Sequence, residues 1–151
     1  MTELLVKEFG FLAVLEGSSE LCLKIKVRFG DRVRVHEGFL ETFKPSQPYD
    51  SIFLVHTLEH TDDQILALSS IKTWLVPRGK IFIAAPNANS LSRRIAVKMG
   101  KVEYLTSVTD VEKNFGHTVT FNADTLAYVV KKAGFKIIKS GGVLLKTLAN
   151  F

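Results

Sequence analysis

Short apolar runs that alternate with helix-like segments constrain the fold of this chain more than any other feature. Residues 11–15, 52–55 and 81–85 form three such runs. Continuous apolar runs of this length are typical of strands that are covered on both faces. Segments with apolar residues at helical spacing follow the first two runs. This order predicts an α/β fold with a mostly parallel, Rossmann-like sheet and helices on both faces.

Local signals predict where several helices begin and end. Ser18 can cap a helix that stops at Gly30, and Asn122 can cap one that stops at Gly134. Residues 1–10 are also typical of a helix, and residues 90–99 of a short basic one. Between these elements, residues 32–36 alternate polar and apolar side chains, which indicates a half-buried strand.

The segment after residue 60 carries a capping-box pattern, with Thr61 followed three positions later by Gln64. It predicts a helix that begins at Thr61 and ends at a turn formed by residues 77–79. The apolar residues that recur along this helix at helical spacing are Ile65, Leu68, Ile71 and Leu75.

The last part of the chain carries a long connection and a hairpin-like pair. Residues 100–116 form the connection, and segments of that length often serve as lids or binding segments. Residues 135–139 and 143–148, separated by Gly141 and Gly142, predict an antiparallel hairpin at the carboxyl terminus.

Length and composition indicate one globular domain over residues 1–151. The apolar runs are too short to cross a bilayer and no signal peptide is recognisable, so we expect a cytoplasmic protein without a membrane partner. The net charge is +5, and the one basic cluster comprises Arg93, Arg94, Lys98 and Lys101. Nucleic-acid binding through this cluster ranks last among the functions considered, because no nucleic-acid motif accompanies it.

Ligands of open α/β sheets bind beyond the carboxyl ends of the strands, and this rule selects three places. Glu16 follows the first predicted strand and could accept hydrogen bonds from both hydroxyls of a ribose, or be an ordinary turn carboxylate. Residues 56–60 follow the second, and residues 86–90 follow the third. In the third place Asn87 and Asn89 could orient a substrate or merely cap the next helix.

The segment His56-Thr57-Leu58-Glu59-His60 holds two histidines four residues apart. A metal site is the less favoured interpretation, because the spacing does not lie on a helix and no third ligand is evident from the sequence. Histidine titrates near neutral pH, so His56 or His60 could act as a general base. Alternatively, Glu59 and His60 could fix the loop by hydrogen bonds. His117, which closes the long connection, is a further candidate that could be catalytic or structural.

Five segments, taken together, resemble the middle and carboxyl-terminal motifs of class I S-adenosylmethionine-dependent methyltransferases, closest to the small-molecule branch. They span about 100 residues in the family's order, with Pro77-Arg78-Gly79 standing where Pro-Gly-Gly is usual. The segments are Tyr49-Asp50 leading into Leu58-Glu59-His60, Leu75 to Lys80, Ala85 to Ser90, Gly116-His117, and Ala133-Gly134-Phe135.

The resemblance implies roles for individual residues. Glu16 lies where the family holds the cofactor ribose, and Glu59 borders the substrate together with His60, Asn87 and Asn89. His56, His60 and His117 are the candidate catalytic bases. The other residues expected to contact S-adenosyl-L-methionine are Gly38, Phe39 and Leu40 near the adenine, and Val55, Thr57 and Leu58 near the methionine end.

The chain departs from the family at its amino terminus. The first strand and its glycine-rich turn, which lets the backbone approach the cofactor, would precede Met1. That strand is normally central, so its absence would expose two strand edges. Three alternatives follow: the remaining strands close up, another chain covers the open sheet, or the chain is a fragment of a longer protein.

Two functions therefore compete. The first is an S-adenosylmethionine-dependent methyltransferase, or a fragment of one, that acts on a small-molecule acceptor. The second is a non-catalytic module that kept the fold, lost cofactor binding and associates as a homodimer or with a partner chain.

Overall fold

A computed structural model describes residues 1–142 of the chain. These residues belong to two compact units, Met1–Pro45 and Ser46–Phe151, each with its own pair of parallel strands. The expectation of a single domain over residues 1–151 stays a prediction.

The first unit is a strand–helix–strand unit preceded by a helix. Ser18 accepts a hydrogen bond from the Leu21 backbone N–H, and Gly30 ends the helix, as the sequence predicts. The two strands pair in parallel from Leu12 opposite Val33 to Glu16 opposite Glu37. The elements are α1 (Thr2–Phe9), β1 (Leu12–Glu16), α2 (Ser19–Phe29), a 3₁₀ turn (Gly30–Arg32) and β2 (Val33–Glu37).

Over residues 46–142 the second unit contains two parallel strands and four helices. The strands pair from Ile52 opposite Ile81 to Val55 opposite Ala84. The elements are β3 (Tyr49–Val55), a 3₁₀ turn (Leu58–His60), α3 (Gln64–Lys72), β4 (Leu75–Ala84), α4 (Leu91–Lys98), α5 (Asp110–Asn114) and α6 (Ala123–Lys132). The buried core cluster consists of Leu58, Leu68, Phe121, Val130 and Ala133.

The start of α3 differs from the prediction. Asp63, not Thr61, caps the helix by accepting a hydrogen bond from the Leu66 N–H. The Thr61 hydroxyl instead donates to the Leu58 carbonyl at 2.9 Å, which closes the preceding 3₁₀ turn. Gln64 donates its side-chain amide to the Thr61 carbonyl at 2.6 Å, so the predicted capping-box pair meets by a different bond.

The end of α3 also differs from the prediction. The helix stops at Lys72, so Leu75 belongs to β4 and not to the apolar face of the helix. Residues 77–79 lie within β4, where Leu75 is opposite Tyr49 and Lys80 is opposite Ser51. The extra residues on β4 form an irregularity of the ladder, and Arg78 adopts a φ of 68° there.

The parallel pairing confirms the predicted α/β class. Within residues 1–142 each unit holds one two-stranded parallel sheet. Residues 135–139 form no strand within the described residues. The predicted hairpin stays untested, because its second half, residues 143–148, lies outside the described residues. No helix in residues 1–142 is long and apolar enough to cross a membrane.

Candidate functional site

The loop that leaves β3 begins with an unusual backbone conformation at His56. Its φ is 52°, in the left-handed region that few non-glycine residues adopt. The His56 N–H donates to the Ala84 carbonyl at 2.9 Å, so the bend starts directly at the end of the β3–β4 ladder. The side chain remains 63% exposed. The bend thus turns the chain beyond the carboxyl end of the strand, where ligands of α/β sheets bind.

Glu59 is a buried carboxylate in the same loop, with a side chain that is only 1% exposed. Its Oε1 lies 3.3 Å from His56 Nδ1, within hydrogen-bonding distance. Its Oε2 is buried and has no hydrogen-bond partner among residues 1–142. Burying an unpaired carboxylate oxygen is costly, so this atom marks a place where a cation or a ligand donor would be stabilised.

His117 is brought to this loop from 57 residues beyond His60 by contacts of Thr118. The Thr118 N–H donates to the Glu59 carbonyl at 2.8 Å, and the Thr118 hydroxyl lies 2.8 Å from the Thr61 carbonyl oxygen. The His60 and His117 rings meet edge to face with centroids 4.7 Å apart. Backbone carbonyls therefore make the contacts with Thr118, and the Glu59 and His60 side chains are not needed for them.

One ligand atom from each of Glu59, His60 and His117 lies within 4.8 Å of the other two. Glu59 is buried, His117 is half-buried and His60 is exposed, so His60 is the member of the cluster most accessible to solvent. His117 thus joins Glu59 and His60 as a possible third metal ligand, which was not evident from the sequence.

An ion pair holds the long connection that precedes His117. Arg93 on α4 donates to Glu112 on α5 at 2.5 Å, to the Leu105 carbonyl at 2.6 Å and to the Ser107 carbonyl. The Glu112 carbonyl in turn accepts the His117 N–H at 3.0 Å. The Arg93 guanidinium therefore binds groups within the chain. It is the most buried member of the predicted basic cluster, and these bonds leave it unsuited to contact a phosphate.

Glu112 also completes a capping box with Thr109 at the start of α5. Burial raises the pKa of this carboxyl, but hydrogen bonds from Arg93 and Thr109 outweigh that effect and lower the pKa below its usual value. The sequence identifies Arg93 only as a member of a basic cluster and does not identify Glu112 as a positioning residue. The Thr109-x-x-Glu112 pattern was the signal that could have identified this helix.

The remaining predicted residues of the second unit line the same end of the strands but differ in exposure. Val55 ends β3, and the Thr57 hydroxyl donates to its carbonyl at 3.3 Å. Leu58 is in the core, so its side chain faces away from solvent. Asn87 accepts the Asn89 N–H at 2.9 Å in a tight turn. Neither asparagine caps α4, because Ser90 does so.

Three of the predicted cofactor-binding residues of the first unit, Glu16, Gly38 and Phe39, lie at the end of β1. Glu16 is half-buried, and its Oε1 accepts the Ser18 N–H at 2.9 Å while its carbonyl accepts the Gly38 N–H at 3.0 Å. Phe39 is 66% exposed and its ring lies over Gly17, where a Cβ would come within 2.8 Å of it. Leu40 is half-buried.

Comparison with known proteins agrees with this fold. A family model described as a methyltransferase domain matches residues 5–140. The crystal structure of a SAM-dependent methyltransferase from Thermotoga maritima matches with a TM-score of 0.64 and 21% identity, over 90% of this chain and 60% of that one. An O-methyltransferase family 2 protein from Planctomyces limnophilus, crystallised with apigenin, matches with a TM-score of 0.66 and 15% identity, over 91% and 41%.

No curated protein sequence matches the chain. The chain spans between 41% and 60% of the lengths of the two solved structures, which at these identities establish the fold. The family match covers most of the chain and both compact units. The chain belongs to the methyltransferase domain family, with the Rossmann-like α/β fold of the class I S-adenosylmethionine-dependent enzymes.

Proposed function

We propose that this chain acts as an S-adenosylmethionine-dependent methyltransferase domain on a small-molecule acceptor. The observation that carries the proposal is the meeting of Glu59, His60 and His117 beyond β3, in a chain that belongs to the methyltransferase family. The cluster brings a buried carboxylate and two imidazoles together beyond the carboxyl end of a strand, which is where α/β enzymes place acid–base groups. The apigenin found with one structural relative supports an acceptor of small-molecule size.

The residues of the first unit fit the ribose and adenine of the cofactor. Glu16 uses Oε1 for Ser18, and Oε2 accepts no hydrogen bond from the described residues, which leaves it for ribose hydroxyls. The exposed ring of Phe39, next to Gly38 and Leu40, offers an apolar face for adenine. In the second unit, Val55, Thr57 and Leu58 provide the backbone expected near the methionine end of the cofactor.

When bound, S-adenosylmethionine supplies an electrophilic methyl group. The chain's own contribution is to position the acceptor and to take the proton that its nucleophile loses. His56 and His60 are exposed and His117 is half-buried, so all three can exchange protons with solvent. Glu59 Oε1 lies 3.3 Å from His56 Nδ1, a contact that would orient the imidazole ring. Asn87 and Asn89 are exposed and follow β4, the strand that pairs with β3. They would contact the acceptor.

Calorimetry with S-adenosylhomocysteine tests cofactor binding by the 151-residue chain. We expect saturable heat that Glu16→Gln weakens at least about tenfold, because the uncharged amide is a poorer acceptor for two hydroxyls. Glu20→Gln is the matched control, since Glu20 is exposed and pairs only with Lys24 among the described residues. Absence of heat at millimolar ligand, or equal loss in both variants, would contradict cofactor binding as proposed.

A second candidate is the assembly module, in which a second copy or a partner chain covers the sheets. It is favoured by Phe11 and Phe82, which are 52% and 47% exposed next to or within two-stranded sheets. Two-stranded sheets are marginal alone, so additional strands would stabilise them. Light scattering that gives a monomer mass at all concentrations would eliminate the homodimer. The proposal keeps the cytoplasm as the location and does not include nucleic-acid binding.

A further inference from the structure

We propose that Glu59, His60 and His117 bind a divalent transition-metal ion, for which Zn²⁺ is the appropriate probe. Their three ligand atoms lie within 4.8 Å of one another. In a tetrahedral zinc site with bonds of 2.0–2.1 Å, ligand atoms are about 3.3 Å apart. His60 is exposed, so its side chain can turn inward to close the remaining gap without displacing core residues.

The composition of the cluster indicates the class of metal. Two imidazoles and one carboxylate suit Zn²⁺ and its neighbours, whereas Mg²⁺ and Ca²⁺ prefer oxygen ligands. Three protein ligands leave the fourth position of a zinc ion to water or to a substrate oxygen. The cluster therefore has the ligand set of a reactive site and not of a closed structural one.

The buried carboxylate is an independent observation that points to a cation. Glu59 Oε1 faces His56 Nδ1, and Oε2 has no partner among residues 1–142 although its side chain is 1% exposed. A metal ion bound at Oε2 would satisfy that oxygen and neutralise the buried charge. The contact from His56 to Oε1 would then orient the ligand, as hydrogen bonds to metal-bound carboxylates commonly do.

The surroundings hold two of the three ligands in place before metal arrives. Thr118 fixes the Glu59 backbone through the 2.8 Å hydrogen bond to its carbonyl, and Glu112 fixes the His117 backbone through a 3.0 Å hydrogen bond. Gly116 lies beside His60, where a Cβ would be 3.5 Å from His60 Nδ1. Such preorganisation lowers the ordering cost of binding.

Metal binding at this cluster does not depend on the proposed methyltransferase function. If that function also holds, the metal would polarise a hydroxyl of the acceptor and make its proton easier to remove. His60 and His117 would then be ligands, which leaves His56 as the base.

The test is a titration of Zn²⁺, and of Co²⁺ as a visible probe, into the chelator-treated 151-residue chain without a histidine tag. We expect one ion per chain. His60→Asn and His117→Asn should each weaken binding at least about tenfold, because even outer-shell changes cost that much at metal sites. His36→Asn is the matched control, because His36 is the only histidine outside the loop and His117.

Circular dichroism identifies any variant that fails to fold, and His60→Asn is the safer of the two because its side chain is exposed. The proposal is overturned if the native chain binds no Zn²⁺ at micromolar concentration. Equal affinities for the native chain and His60→Asn, or equal weakening by His36→Asn, also overturn it. S-adenosylhomocysteine binding is measured in a separate experiment. Failure of Zn²⁺ binding can therefore be distinguished from failure of cofactor binding.

Discussion

Replacing Arg93 by methionine removes the side chain that holds the long connection between α4 and His117. In the native chain its guanidinium donates to the Leu105 carbonyl, the Ser107 carbonyl and the Glu112 carboxylate. Methionine retains an unbranched apolar side chain but makes none of these bonds. Glu112 is then left as a half-buried charge without its cation, although Thr109 still donates to it.

The magnitude follows from burial. Breaking one side of a buried ion pair costs about 3–5 kcal/mol. The Arg93 and Glu112 side chains are 12% and 19% exposed, so water screens part of that loss. We therefore expect Arg93→Met to lower the free energy of unfolding by about 2–3 kcal/mol. With a urea dependence of about 1.5 kcal/mol/M, the midpoint falls by about 1.3–2 M.

Urea unfolding followed by tryptophan fluorescence is the assay. Trp74 is the only tryptophan and is 9% exposed in the second unit, so its emission reports on the unit that contains Arg93. Arg94→Met is the control, because Arg94 is an exposed neighbour on the same helix. If the two variants have midpoints within about 0.3 M of each other, equivalent to about 0.5 kcal/mol, the positioning role of Arg93 is wrong.

Three further predictions concern stability. Because the folded pKa of Glu112 is lowered, its stabilising contribution is present above its usual pKa of about 4.3 and is lost as pH falls through the folded pKa. Glu112→Gln should therefore flatten the loss of stability to acid below about pH 4.3. Gly134→Ala should lower the free energy of unfolding by about 1–2 kcal/mol in thermal unfolding, because φ is +80° and the new Cβ would lie 2.6 Å from Lys72 Nζ. Gly100→Ala is the control: its φ is +70° but its Cβ would meet no atom within 4 Å, so its cost measures the backbone strain alone. Leu68→Ala should cost about 2–5 kcal/mol in urea because the side chain is fully buried, and Leu66→Ala, 64% exposed on the same helix, should cost under about 1 kcal/mol.

The elements that could be predicted are those with local signals at both ends. Helix α2 has its cap at Ser18 and its stop at Gly30, and both work as the sequence indicates. The start of α3 could not be chosen from the sequence, because Thr61 and Asp63 are both good caps two residues apart. The 3₁₀ turn closed by the Thr61 hydroxyl decides in favour of Asp63.

Residues 77–79 show the opposite case, in which tertiary pairing overrides a local signal. Pro77, Arg78 and Gly79 have the composition of a turn, and the sequence therefore predicts a break there. Pairing on both sides with β3 instead draws them into one long strand. The extended conformation of residues 77–79 depends on pairing with the neighbouring strand, so no pattern within these residues could have predicted it.

The candidate site divides in the same way. The 56–60 loop follows from its position after a strand, which the sequence reveals. The proximity of His117 depends on hydrogen bonds from Thr118 to two backbone carbonyls, which have no sequence signature. The burial of Glu59 is equally unpredictable, because carboxylates are rarely fully buried without a partner. The cluster therefore emerges only in three dimensions.

The most direct test of the central claim is transfer of a labelled methyl group. The 151-residue chain is incubated with methyl-labelled S-adenosylmethionine and a panel of small hydroxyl and amine compounds, with heat-denatured chain as the control. We predict that label enters the small-molecule fraction and that S-adenosylhomocysteine accumulates in equal amount. Binding of S-adenosylhomocysteine without any label transfer, across the panel, would contradict a catalytic role and favour the assembly module.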